Sequence, residues 1–382
     1  MTGLVLREVQ RVRRHALWIA GLAATIALAI AWWLSVDEQR LRLKPVSFEE
    51  IEGWGDDDHA AALRTFVKSA HADRKLRYGD AAILLGESAS GEAARKFFED
   101  LFTPYVVVDT EEEGLVTGYY EPEVNGSREQ SGPFQVPVYR RPDDLVQVKP
   151  DLLRALYNDG HSVRRRQGGE LVPYFTRAEI DAGALKGRGL ELLYLDDPVE
   201  LFFMQIQGSG RVRLTDGSWV RLGYAAKNGH RYTSIGKLLA ARGEKPPGGL
   251  TMEGLKGWLR SNPARGRALM HENQSYVFFR ILPEAEASEG PVGAQGAPLT
   301  PGRSLAVDAS YHALGTPIFV TAPEASAPDG KPFRRLMIAQ DVGSAIRGKE
   351  RGDIFFGTGA EAGAIAGVTK HKAKFYVLLP KE

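Results

Sequence analysis

No cysteine occurs anywhere in the 382 residues. Disulfides, thiolate metal sites, a cysteine nucleophile and a lipid joined through cysteine are therefore excluded, while the redox compartment stays open. An excess of charge of either sign is also lacking. With 49 Lys and Arg against 48 Asp and Glu, no global field draws the chain to nucleic acid, and charge-based recognition has to be local. The eight histidines are scattered. None forms a His-Glu-x-x-His pair, so neither a metal nor a cofactor is expected, and His230 and His371 read as structural or substrate-facing groups. Internal repeats and coiled-coil heptads are missing too. What is abundant is glycine, 42 residues, together with 21 prolines, which favours a loop-rich or β-rich body long enough for two domains.

The one long apolar run is residues 16–34, 19 residues without a charge, spanning roughly 29 Å as a helix, about one bilayer core. Arg7, Arg11, Arg13 and Arg14 precede it and Asp37 and Glu38 follow. The positive-inside rule then leaves residues 1–15 as a cytoplasmic basic tail and exports the remainder. Length and the Trp32-Trp33 pair favour a retained anchor over a signal peptide cut after Ala29-Ile30-Ala31.

The exported part opens with helices. Asp58 caps one whose Leu63, Phe66, Val67 and Ala70 share a face, and Ser90 precedes another with Ala94, Phe97, Phe98 and Leu101. From Thr103 short β-type runs take over, at 105–108, 115–120, 134–139, 201–206 and 218–222. Helices over 234–241 and 252–259 interrupt them, a strand over 276–282 resumes, and the Gly/Pro/Ala-rich stretch 283–303 reads as a crossing between domains. Further strands are expected at 304–307, 318–321, 335–339, 354–356 and 375–379.

Carboxylates are the candidate reactive groups. Asp308, Asp341 and Asp353 each adjoin an apolar strand, where half-burial favours a neutral carboxyl able to donate a proton. Judged alone, each reads first as a structural Asx-turn or helix cap, and the residues alone give none an advantage. Gly208-Ser209-Gly210 lacks the full Gly-x-Ser-x-Gly and dinucleotide patterns; it suits close approach of a ligand to backbone or a hairpin turn. Aromatic and amide groups suited to sugars are Tyr119-Tyr120-Glu121, Gln205, Gln207 and Lys227-Asn228. On a strand Gln205 and Gln207 would face one side, to bind ligand or to form a polar ladder.

Six strings in order resemble one family, the membrane-bound lytic murein transglycosylase A family: Thr117-Gly118-Tyr119-Tyr120-Glu121-Pro122, Thr176-Arg177-Ala178-Glu179-Ile180, Phe203 to Gly210, Gly223 to His230, Asn273 to Phe279, and Gln340 to Gly348. The resemblance covers roughly residues 45–380. It implies a mainly β protein with N-terminal helices, in which a double-psi β-barrel domain carries an inserted second β-barrel domain, with a glycan groove between them. The barrel would comprise residues 35–122 and 304–382, the latter a three-aspartate (3D) module, and residues 123–282 the insert. It implies cleavage of peptidoglycan glycan strands with Asp353 as the catalytic acid, Asp341 and Asp308 in support, and Thr117, Tyr119, Tyr120, Glu121, Gln205, Gln207, Gly208, Ser209, Lys227 and Asn228 against the substrate. Family members are often lipoproteins; here the missing cysteine leaves attachment to the 16–34 segment, on the periplasmic side of the inner membrane, or a free periplasmic protein if it is cleaved. Two alternatives stay open: a hydrolase pairing Asp341 with Asp353, and a wall-binding protein without activity.

Overall fold

A computed structural model describes residues 41–108, 113–149, 152–153, 157, 161–283, 289–326 and 332–382. The 16–34 segment and the tail before it lie outside the described residues. Among the described residues no helix is long and apolar enough to cross a membrane.

Three helices lead the folded part: α1 (His59–Ala72), α2 (Gly79–Leu85) and α3 (Gly91–Leu101). Asp58 accepts from the Ala61 amide and Ser90 from the Ala93 amide, each satisfying one orphan donor at a helix start. The apolar faces of α1 and α3 bury Leu63, Phe66, Phe97 and Phe98 with Trp54 against Phe319, Leu336, Ile338 and Leu378. The helices thus close one side of a β-body.

That body is a sheet of β1 (Phe102–Val108), β2 (Leu115–Glu121), β9 (Ser304–Val307), β10 (Pro317–Ser326), β11 (Pro332–Val342), β12 (Arg351–Thr358), β13 (Lys370–Lys372) and β14 (Lys374–Pro380). These strands run in the order β1-β14-β10-β11-β9-β12-β2-β13. They curl into a nearly closed barrel in a mainly β fold. The second sheet consists of β3 (Glu123–Ser127), β4 (Val136–Tyr139), β5 (Glu191–Leu195), β6 (Gly210–Leu214), β7 (Trp219–Lys227) and β8 (Val277–Ile281), ordered β8-β7-β6-β3-β5-β4. Its core is Val138, Leu193, Leu195, Met204, Val212, Leu222 and Phe279. Strands drawn from both ends of the chain share the barrel, and the intervening chain forms the second sheet.

Helices α4 (Pro198–Gln207), α5 (Ile235–Ala241), α6 (Met252–Ser261) and α7 (Pro263–Glu272) pack together through Phe202, Phe203, Trp258 and Leu269. Helix α4 corrects the β-type reading of 201–206. Asp197 accepts from the Val199 amide, Pro198 takes the first turn, and Gly208 ends the helix at φ 86°. These stop and start signals outweigh the apolar texture between them. Gly208-Ser209-Gly210 is therefore a helix end leading into β6, not a hairpin. Helix α8 (Gly359–Val368) was also hidden in the sequence, because its glycines and alanines carry no apolar periodicity.

Candidate active site

Backbone register assembles the site before any side chain is considered. Asp341 pairs with Ala306, Ala306 with Asp353, and Asp353 with Thr117. Residues paired across strands share a face, so the two carboxyls flank a small alanine, two strand spacings or roughly 10 Å apart at the backbone. A bulge makes this possible. Leu305 pairs with Ala339 but Ala306 with Asp341, leaving Gln340 as the extra residue. Without it Gln340 would hold the place of Asp341 in the row; bulges re-aim side chains in this way. Gln340 is buried, donating to the Thr65 carbonyl and Ser69 Oγ of α1 and accepting from Ser304.

The three aspartates have different fates. Asp308 is buried; its Oδ1 accepts from the Ser310 amide and hydroxyl and its Oδ2 from the Gly348 amide, with Arg347 at 3.4 Å. Burial is the largest single influence on its pKa and acts upward, but the Ser310 and Gly348 hydrogen bonds and the Arg347 charge together hold the carboxyl below its ordinary value. It pins the 343–350 loop as an anion. Asp341 accepts from Tyr119 Oη at 3.0 Å on Oδ2 and from the Ala294 and Val342 amides on Oδ1. Burial nevertheless raises its pKa. The 283–303 stretch also contributes to the site: Ala294 donates to Asp341, while Ala297 and Leu299 are buried.

Asp353 is half-buried and accepts one hydrogen bond, from Thr117 Oγ1 to Oδ1 at 2.6 Å. Its Oδ2 has no partner among the described residues. Burial, and more weakly the Asp341 charge, push its pKa to about 6 against the pull of Thr117 and Arg351. Arg351 donates to Thr117 Oγ1 at 2.8 Å. Nothing in the sequence marks this arginine beyond its place two residues before Asp353 on one strand face.

Several residues expected against the substrate have their polar groups bonded within the protein. Glu121 is fully buried, ion-paired to Arg221 and accepting from Thr358 at 2.7 Å. Gln205 and Gln207, on a helix, do not share a strand face. Buried Gln205 accepts from Arg177 at 2.7 Å and donates to the Val277 carbonyl, while Gln207 accepts from the Tyr120 amide. Asn228 is buried, donating to the Phe175 and Gln274 carbonyls and accepting from the Tyr276 amide. Arg177 also donates to the Asn273 and Ser275 carbonyls. Four of the six strings thus meet in one buried hydrogen-bonded knot that seats the end of β7. Tyr119 is buried against Phe355, and burial followed by the Asp341 charge raises its pKa well above the usual tyrosine range. Tyr120 is buried as well.

Thr117, Gln207, Gly208, Ser209 and Lys227 keep accessible surface with Asp341 and Asp353. Lys227 Nζ reaches Ser344 Oγ at 3.3 Å, connecting the second sheet to the loop after Asp341. Burial, then the nearby Arg347 charge, lowers its pKa. Chemically the site offers one unshared carboxyl oxygen poised to give and recover a proton, beside a carboxylate already engaged by three donors.

Residues 115–280 match the model of the MltA specific insert domain, and residues 303–379 that of the 3D domain. Membrane-bound lytic murein transglycosylase A of Escherichia coli K12 is 36% identical over 268 residues, 69% of this chain and 64% of the relative, so the match spans just under two thirds of that protein. A crystal structure of a membrane-bound lytic murein transglycosylase from Agrobacterium tumefaciens is 37% identical, with a TM-score of 0.79 over 88% of this chain and 97% of that one. The E. coli MltA structure with bound chitohexaose is 29% identical, with a TM-score of 0.63 over 85% and 90% of the two chains. With the bulged aspartate row, the insert and the 3D strands all in place, this chain belongs to the membrane-bound lytic murein transglycosylase A family.

Proposed function

We propose that the chain is a peptidoglycan lytic transglycosylase that cleaves the β-1,4 bond between N-acetylmuramic acid and N-acetylglucosamine and leaves 1,6-anhydromuramic acid ends. The observation that carries this is the unshared Oδ2 of Asp353 on a carboxyl whose pKa lies near 6. In the forward step that oxygen gives its proton to the glycosidic oxygen as the bond to the anomeric carbon breaks. The same oxygen then takes the proton of the muramic acid 6-hydroxyl as O6 bonds to the anomeric carbon. Because the nucleophile is part of the substrate, its effective molarity is high and no second base has to activate water. Engagement of Asp341 by three donors supports this over the two-carboxylate hydrolase, whose second carboxylate must hold a water.

Chitohexaose bound to the E. coli protein is a β-1,4 chain of N-acetylglucosamine, and it supports a glycan strand as ligand here. Accessible Gln207, Ser209 and Lys227 would line its path. Residues 16–34 would hold the enzyme at the periplasmic side of the inner membrane. Mass spectrometry of murein sacculi digested by the purified chain is the test. Anhydromuropeptides are expected; products heavier by one water would establish hydrolysis, and intact sacculi would leave only wall binding.

A further inference from the structure

We infer that Arg351 and Thr117 are a positioning pair that decides which oxygen of Asp353 carries the proton; the inference rests on Asp353 being the acid. A threonine hydroxyl has one hydrogen and two lone pairs, and a guanidinium only donates. Arg351 Nη2, 2.8 Å from Thr117 Oγ1, therefore fills a lone pair of that oxygen. The hydroxyl hydrogen has one acceptor among the described residues, Asp353 Oδ1 at 2.6 Å. Thr117 is thus an obligatory donor to Oδ1, and a neutral Asp353 carries its proton on Oδ2, the oxygen without a partner among the described residues.

The arrangement also answers a problem of charge. A guanidinium paired directly with the carboxyl would hold it ionised and useless as an acid. Here Nη1 of Arg351 is turned to the backbone, donating to the Gly352 carbonyl and, at 3.5 Å, to that of Leu115. The arginine is tied to both strands and is hydrogen-bonded to Asp353 only by way of the threonine, its charge acting on the carboxyl from beyond it. Its charge favours the carboxylate left after proton donation without removing the proton beforehand. Strand register enforces the geometry, since Thr117 pairs with Asp353 and Leu115 with Arg351.

Thr117→Val tests the pair, because it deletes the hydroxyl while keeping the branched shape that a strand accepts. On sacculi, the full chain should lose at least about tenfold in kcat with little change in KM. The falling limb of its kcat profile should move to higher pH, because the Thr117 hydrogen bond that favours the carboxylate is then gone. Thr117→Ser should restore both, and Arg351→Met should shift the limb in the same direction. Thermal melts confirm that each variant is folded. A wild-type rate and limb in Thr117→Val, or a rise confined to KM, would overturn the inference, the latter making Thr117 a substrate contact. Asp353→Asn separates the two levels. If it stays active, the assignment of the acid fails; if it is inactive while Thr117→Val is unchanged, only the positioning pair fails.

Discussion

At the scale of single residues, one group holds a proton its environment would surrender in water. Asp353 titrates near 6 when folded and near 3.8 when exposed. Between those values the folded chain binds a proton that the unfolded chain has released, so this group's contribution to stability falls as pH rises through the window. Above it the cost is at most about 3 kcal/mol, since each pKa unit is about 1.4 kcal/mol and the side chain keeps some accessible surface. Asp353→Asn should therefore melt higher than wild type at pH 7.5, with the difference vanishing near pH 4. It should also lose about 10²–10⁴-fold in rate, the usual contribution of a general acid. Wild-type kcat should fall as pH rises through about 6, when the acid loses its proton. Tyr119→Phe removes a donor to Asp341 at a buried position and should cost about 1 kcal/mol in urea denaturation. Of this chemistry the residues taken alone showed three equivalent aspartates, and it was the family resemblance that pointed to Asp353. Their differences come from partners distant in the chain, Gly348 for Asp308, Ala294 for Asp341, and Thr117 for Asp353.

At the scale of elements, strand β2 carries Thr117 and is seated by α8 through paired small residues. A Cβ on Gly118 would lie 2.7 Å from the Phe356 ring and 2.8 Å from the Ala366 Cα, and one on Gly363 would meet the Tyr120 ring at 2.8 Å. Gly118→Ala should destabilise by about 1–3 kcal/mol, read by thermal melting, and should reduce activity by displacing Thr117. Capped elements such as α1 and α3 were legible because Asp58 and Ser90 sit immediately before apolar faces of helical period. Helix α4 had the same signals in Asp197, Pro198 and Gly208, but its apolar run reads as a strand unless those ends are weighed first. Helix α8 was not legible, since its small residues serve close approach to β2 and leave no amphipathic pattern.

At the scale of the whole molecule, the N-terminal helices are bound to the barrel by a buried ion pair. Arg303 donates to both oxygens of Asp57 at 2.8 Å, and Asp57 also accepts from the Leu336 amide. The arginine and aspartate side chains are 6% and 3% exposed. Arg303→Ala leaves a buried carboxylate without its counter-ion and should cost about 3–5 kcal/mol, measurable as a lowered melting temperature. Because α1 also grips Gln340, the same change should lower activity by loosening the bulge behind Asp341.

By itself the sequence determined the class of chemistry and most of the elements. Absent cysteines and paired histidines left carboxylates as reactive groups, local caps and turns are written in neighbouring residues, and the six ordered strings carry the family. Tertiary structure alone showed which aspartate keeps an oxygen without a partner among the described residues and which polar residues of those strings are bonded within the protein. A carboxyl's proton affinity depends on burial and on donors brought from 40 to 236 residues away. Asn228, Gln205 and Glu121 have the chemistry of sugar-binding groups, yet the fold spends their hydrogen bonds internally.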